Sequence, residues 1–236
     1  MFHRTYPIQL RAGVTRERID GLRAVLAAAP EHIPGFLESE LVGAPPGSGH
    51  DLVWRNVFEN EDAFWLYAGH PYHANLINDY LAPDAPDSVK ASSSAGTIWS
   101  DDGPIDPVRM ADLRHADAAL EAAGIDARAV HLLEQVEVLP GKMNEYLVAV
   151  RDIYLPAATR NGMHLMTSWQ TPSGTGESEL TFVWSVEGWG GAFRSFVAVS
   201  QEVDMMEQWL ETVRPLRSGG RRRYLVPTGL PGEWSK

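Results

Sequence analysis

The chain contains no cysteine in its 236 residues. Disulfides, thiolate catalysis and cysteine-ligated metals are therefore excluded, and a reducing, cytoplasmic setting is expected. Positive charge is scarce: 20 Lys and Arg stand against 31 Asp and Glu, for a net charge of −11. Binding a phosphate backbone needs clustered cations, so nucleic acid is not expected as a partner. The one basic run, Arg217 to Arg223, is interrupted by Ser218, Gly219 and Gly220 and reads as a turn flanking the last strand. No apolar run approaches the ~20 residues that cross a bilayer, and Met1 to Pro7 carries no apolar leader core, so no membrane association is expected. A phosphate-binding glycine loop, a Gly-x-Ser-x-Gly elbow and a His-Glu-x-x-His helix are also missing. No metal and no cofactor is implied.

What is present is an ordinary globular composition, 44% hydrophobic and 22% charged. Strand-like and helix-like stretches follow one another in a repeating order. Residues 3–11 read as a first strand, in which Pro7 suggests an edge position or a bulge. Thr15 caps a helix that Pro30 ends. Residues 33–43 and His50 to Phe58 make two more strands. A helix over Glu61 to Tyr80 breaks at Gly69-His70-Pro71, and 91–99 make a weak fourth strand. An acidic connector and an extra helix, about 107–123, lead to Gly124. Then the order recurs: strand 130–138, helix 142–159, strands 163–171 and 179–187, a helical region 190–213 and a short strand 222–227. The expected fold is α+β, two tandem ferredoxin-like (β-α-β-β-α-β) domains at 1–100 and 128–236 with 101–127 between them. Each sheet has helices on one face only. The bare faces are expected to pack sheet to sheet as an intramolecular α/β barrel, leaving outer surfaces on which a homodimer could form. Trp54, Trp169, Trp184, Phe182 and Met166 would wall an interior suited to a small-molecule substrate; core filling is the plainer role for any one of them.

One stretch stands out chemically. Tyr67-Ala68-Gly69-His70-Pro71-Tyr72-His73 holds two imidazoles and a phenol in a chain with eight histidines. Imidazole titrates near neutral pH and a phenol donates or accepts a hydrogen bond, so the group can move protons. The structural alternative is that His70 caps the broken helix and His73 bonds a backbone carbonyl. His70 and His73, with Asp51 or Asp79, could suggest a metal site, but Pro71 breaks the helical spacing between the imidazoles. The second half repeats the order of elements and not the motif. Phe196 stands where the first half has Tyr67.

Ile33-Pro34-Gly35-Phe36, Asp51-Leu52-Val53, Phe58-Glu59 and above all Tyr67-x-x-His70-Pro71-x-His73 resemble the stress-responsive dimeric α/β-barrel (Dabb) family. Leu139-Pro140-Gly141-Lys142, Leu155-Pro156 and Trp169-Gln170 resemble the NIPSNAP branch of the same superfamily. The first resemblance implies a cofactor-free polyketide cyclase or lyase of secondary metabolism. In the family's cyclases a tyrosine and a histidine at the positions of Tyr67 and His73 form the catalytic pair. Carried over, His73 is the general base and Tyr67 holds the developing oxyanion. His70, Trp54, His50, Leu52, Asn56, Arg4, Tyr6 and Trp184 are the expected substrate contacts. Where those cyclases place a histidine on the third strand this chain has Leu52, with His50 two residues earlier on the same face. The superfamily's cofactor-independent monooxygenases and its non-catalytic, ligand-binding stress proteins are the alternatives.

Overall fold

The computed structural model describes residues 1–82, 88–91, 96–105, 114–125, 130–172 and 178–226. The start of the expected connector helix, at 106–113, lies outside them, as does most of the turn after Pro172. The protein is α+β, with two antiparallel sheets. The first contains β1 (Phe2–Ile8), β2 (Phe36–Gly43), β3 (Leu52–Phe58), β4 (Thr97–Ser100) and the short β5 (Gly103–Pro104), in the order β2-β3-β1-β4-β5. The second contains β6 (Val130–Val138), β7 (His164–Gln170), β8 (Glu179–Val186) and β9 (Arg217–Leu225), in the order β7-β8-β6-β9. The first four strands of each half thus share one ferredoxin-like order.

Local chemistry sets the helix ends. Thr15 Oγ1 accepts from the Arg18 amide at 3.2 Å and starts α1 (Arg16–His32). Pro30 does not end this helix, which runs on to His32. Pro30 gives up its own donor and crowds the carbonyl four residues back, but the Ile33 amide still closes onto Ala29 O at 3.1 Å. Asn60 Oδ1 accepts from the Ala63 amide at 2.9 Å and opens α2 (Glu61–Gly69). Next come α3 (Pro71–Leu76), continued by a π-turn (Ile77–Leu81), and α4 (Arg114–Ala122). The second half carries α5 (Met143–Ala149), a π-turn (Val150–Tyr154), α6 (Leu155–Arg160), α7 (Gly188–Gln201) and α8 (Val203–Val213).

Two strand assignments change. β1 is an inner strand between β3 and β4, although it contains Pro7. β4 pairs only with residues 2–5, so Pro7 falls where that side of the strand is already free of β4. The Arg217–Arg223 run is not a turn; it lies within β9. It can be a strand because its side chains alternate. Arg222 turns inward to bond Glu134, whereas Arg221 and Arg223 are exposed.

Between the halves α2, α3 and α4 pack against α7, and β9 lies beside the first half's π-turn. Glycines permit the closest approaches. A Cβ on Gly69 would fall 2.7 Å from Leu120 Cδ1, and one on Gly190 would fall 1.7 Å from Asp117 Oδ1. Asp117 pairs with Arg194 across this junction. The aromatic walls expected of an interior between the sheets therefore separate. Trp54, Phe182 and Trp184 are buried under helices of their own halves, while Trp169 and Met166 are exposed. No helix among the described residues is long and apolar enough to cross a membrane.

Candidate active site

Strand alternation places Phe2, Arg4, Tyr6 and Ile8 on the helix-facing side of β1. The register sets Arg4 opposite Asn56 and Tyr6 opposite Trp54 on β3. Tyr67 comes down from α2 onto this face. Its ring lies 6.0 Å from that of Trp54, 5.0 Å from Phe58 and 5.2 Å from Phe36. α3 brings His73, whose ring centroid is 4.1 Å from that of Tyr67 and 6.4 Å from that of Trp54. The break between the two helices allows this convergence. The His70 amide closes α2 on Tyr67 O at 3.1 Å, and His70 Nδ1 accepts from the Tyr72 amide at 3.2 Å to open α3. Pro71 fills the first position of α3, where no donor is needed. His70 is therefore the hinge cap of the site. Burial, then the charge of His32, lowers its pKa.

The protonation of His73 follows from its partner. Nδ1 lies 3.0 Å from the Ala68 carbonyl. A carbonyl can only accept, so Nδ1 carries the hydrogen and Nε2 presents a bare lone pair. That Nε2 is buried and has no hydrogen-bond partner among the described residues. Burial first, and the Arg4 guanidinium second, push the imidazole pKa down to about 3. Tyr67 is also buried, and its phenol accepts from Arg4 Nη1 at 2.9 Å. Burial raises its pKa and Arg4 opposes the rise, so the phenol keeps its proton. Arg4 also packs over three rings, with its guanidinium carbon 4.7 Å from the centroid of Tyr6, 5.3 Å from Trp54 and 5.7 Å from Tyr67. Trp54 Nε1 donates to Ser39 Oγ at 2.9 Å. Both amide atoms of Asn56, opposite Arg4, are buried without a hydrogen-bond partner among the described residues.

The His73 shift has a consequence for stability. Between pH 6.5 and about 3 the unfolded chain binds a proton that the folded protein excludes. Stability therefore falls on acidification through this window, by about 2 kcal/mol at pH 5 relative to neutral pH. In His73→Gln this share should vanish. Urea unfolding of both proteins at pH 5 and pH 7.5 measures it, and parallel pH dependences would mean that His73 is not held neutral.

No family model matches the chain, and no curated protein matches it. Solved structures do. A NIPSNAP-domain protein of Burkholderia xenovorans is 18% identical over 43% of this chain and 96% of its own, with a TM-score of 0.35. A NIPSNAP-family protein of Agrobacterium tumefaciens is 19% identical over 44% and 90%, with a TM-score of 0.39. A suggested monooxygenase of Lactobacillus acidophilus is 13% identical over 95% and 92%, with a TM-score of 0.33. These likenesses carry no argument about activity.

The structure brings together Arg4, Tyr6, Trp54, Asn56, Tyr67 and His73. Leu52 packs at the edge of the core opposite Ile8. Two expected substrate contacts lie elsewhere. His50 is exposed in the loop before β3, because the strand starts only at Leu52 and Ser48 turns the chain there. Trp184 is buried in the second half against Tyr154, with Nε1 bonded to Glu134. The second half contributes Phe193 instead, 5.7 Å from the His73 ring. The side chain of Phe196 lies outside the described residues. Sequence reasoning also missed Lys90, one of only three lysines in the chain. The bridge between Leu10 and Lys90 brings it alongside the chain just past β1, where its ammonium bonds the Tyr6 phenol. The rarity of lysine was a signal, but nothing local connects Lys90 to a tyrosine 84 residues away. Among the described residues no three His, Asp or Glu side chains gather where they could hold a metal ion.

Proposed function

We propose that the protein is a cofactor-free enzyme that works by general acid/base chemistry on a small carbonyl-rich substrate, polyketide-like or aromatic, as a cyclase or lyase of secondary metabolism. One observation carries the reading: the bare Nε2 lone pair of His73 lies beside a phenol that Arg4 holds protonated and oriented. The resemblance of Tyr67-x-x-His70-Pro71-x-His73 to the Dabb cyclases supports the same pair of roles. His73 Nε2 takes a proton from a carbon flanked by two carbonyls. Tyr67 donates to the enolate oxygen. The enolate carbon then forms a bond to a further carbonyl carbon of the same chain, and the resulting alkoxide recovers the proton from the imidazolium. Flanking carbonyls acidify the carbon, so a modest base suffices. Burial weakens the His73 base, so proton removal leans on the Tyr67 donor and on the acidity of the flanked carbon.

The test is ring closure of linear 3,5,7-trioxo acids, followed by chromatography, under air and under nitrogen. Equal closure in both is the expected result. Turnover that needs oxygen would replace the cyclase by a cofactor-independent monooxygenase. Binding without any turnover would leave a ligand-binding protein.

A further inference from the structure

The first half holds a buried cation, Lys90, close to the half-buried Arg4. Lys90 is 2% exposed and its ammonium bonds the Tyr6 phenol. Lys90 Nζ and the Arg4 guanidinium carbon each lie 4.7 Å from the centroid of the Tyr6 ring. Among the described residues neither cation pairs with a carboxylate. The second half shows the usual solution. There the buried Glu134 is met by Arg222 Nη2 at 2.6 Å. Two like charges on one ring repel, and a buried cation without a counter-charge is unfavourable. Such an arrangement persists where an anion supplies the missing charge.

The surrounding polar atoms point to the same conclusion. Each phenol accepts from a cation, Tyr67 from Arg4 and Tyr6 from Lys90, so each keeps its own O–H to donate. Asn56 Nδ2, on the residue opposite Arg4, is a further buried donor without a partner among the described residues. Guanidinium, ammonium, two phenols and an amide therefore converge as donors. His73 Nε2 and Asn56 Oδ1 are acceptors left unused. Arg4 and Gly96 are the part-exposed members of this group. A Cβ on Gly96 would meet Arg4 Nε at 3.1 Å and Tyr6 Cδ2 at 3.3 Å, so a glycine there keeps the approach to the two groups clear.

We infer that Arg4, Lys90 and Tyr6 form a receptor for the carboxylate of the substrate, which is thus a free oxo acid and not a neutral polyketone. The inference names the substrate class of the reaction proposed above, and rests on that reading only for what the bound acid then undergoes. A carboxylate at Arg4 and Lys90 places the carbon chain along Tyr6 and Trp54 toward Tyr67 and His73. It also offsets the Arg4 charge that helps to hold His73 neutral, so the base strengthens once the acid is bound.

Calorimetric titration with acetoacetate, acetylacetone and inorganic phosphate tests this on wild type, Lys90→Met and Lys90→Arg. Acetoacetate should bind wild type at least about 10-fold more tightly than acetylacetone. Lys90→Met should weaken acetoacetate alone by about 10- to 100-fold, the usual range for a charge-assisted hydrogen bond. Lys90→Arg should keep most of the affinity. In the empty protein Lys90→Met should raise the Tm or leave it unchanged, because an unpaired buried charge is removed; a purely structural lysine would lower it. Equal binding of acetoacetate and acetylacetone, tighter binding of phosphate, or unchanged affinity in Lys90→Met would overturn the receptor. If acetoacetate binds as expected but trioxo acids are never closed, the receptor stands and the cyclase reading fails.

Discussion

His73→Ala is expected to lower turnover of a trioxo acid by about 10²- to 10⁴-fold, the usual contribution of a positioned general base. That range corresponds to about 2.7–5.4 kcal/mol of activation free energy. The magnitude belongs to Nε2, because Nδ1 is committed to the Ala68 carbonyl. His73→Gln separates the two atoms. Its amide can keep a donor for Ala68 but offers no imidazole lone pair, so it should fold like wild type and remain inactive. Tyr67→Phe should retain substrate binding and lose rate, since the ring packing against Phe36, Phe58 and Trp54 is preserved while the Arg4-bonded phenol is removed. Steady-state rates for the three variants, with circular dichroism as a fold control, decide the matter. A rate within threefold of wild type in His73→Gln would remove His73 from the reaction.

Arg222→Met is expected to destabilise the protein by about 3–5 kcal/mol, the range for breaking a buried ion pair from one side. That is a large share of the 5–15 kcal/mol that holds a typical domain together. Arg222 reaches Glu134 Oε1 with two nitrogens, Nε at 2.9 Å and Nη2 at 2.6 Å. The two side chains are 8% and 7% exposed, so water cannot replace the lost partner. Trp184 Nε1, at 3.2 Å from Oε2, would remain as a neutral donor to a buried carboxylate. Adding Glu134→Leu to Arg222→Met should recover most of the loss, because the stranded charge then disappears. Urea unfolding of the two single variants and the double closes the cycle. A loss below 1 kcal/mol in Arg222→Met would show that Glu134 is not dependent on this arginine.

The two buried charge clusters also explain why the halves differ in chemistry while sharing a sheet order. β6 carries an acid into its core and β9 answers it with Arg222. β1 places the half-buried Arg4 at the rim of its core, and β3 answers with Asn56, a neutral amide. Among the described residues the first half therefore sets two cations without a carboxylate partner beside a base and a phenol, whereas the second pairs Arg222 with Glu134.

Much of the scaffold could be read from the chain alone. Thr15, Pro71 and Gly124 act within a few residues of themselves, and alternation in β1, β3 and β8 has a period of two. The broken helix at Gly69-His70-Pro71 and the pairing of Tyr67 with His73 were legible for the same reason. The failures fall where a local signal was overridden. Pro7 sits in an inner strand because β4 stops short of it. The Arg217–Arg223 run is a strand because each inward or outward side chain finds its own environment. His50 drops out because β3 begins two residues later than the pattern suggested.

The amino-acid order by itself determined the succession of elements, their caps and which residues share a face of each strand, since these depend on backbone period and on neighbours close in sequence. Only the tertiary structure decided which residues complete the site. It set Arg4 on the phenol of Tyr67, carried Lys90 to Tyr6 through one bridge, took Trp184 away into the other core and brought Phe193 against His73. It also packed α2, α3 and α4 against α7. Burial and charge pairing are properties of what comes to lie over a residue, and residues far apart in the chain supply that cover.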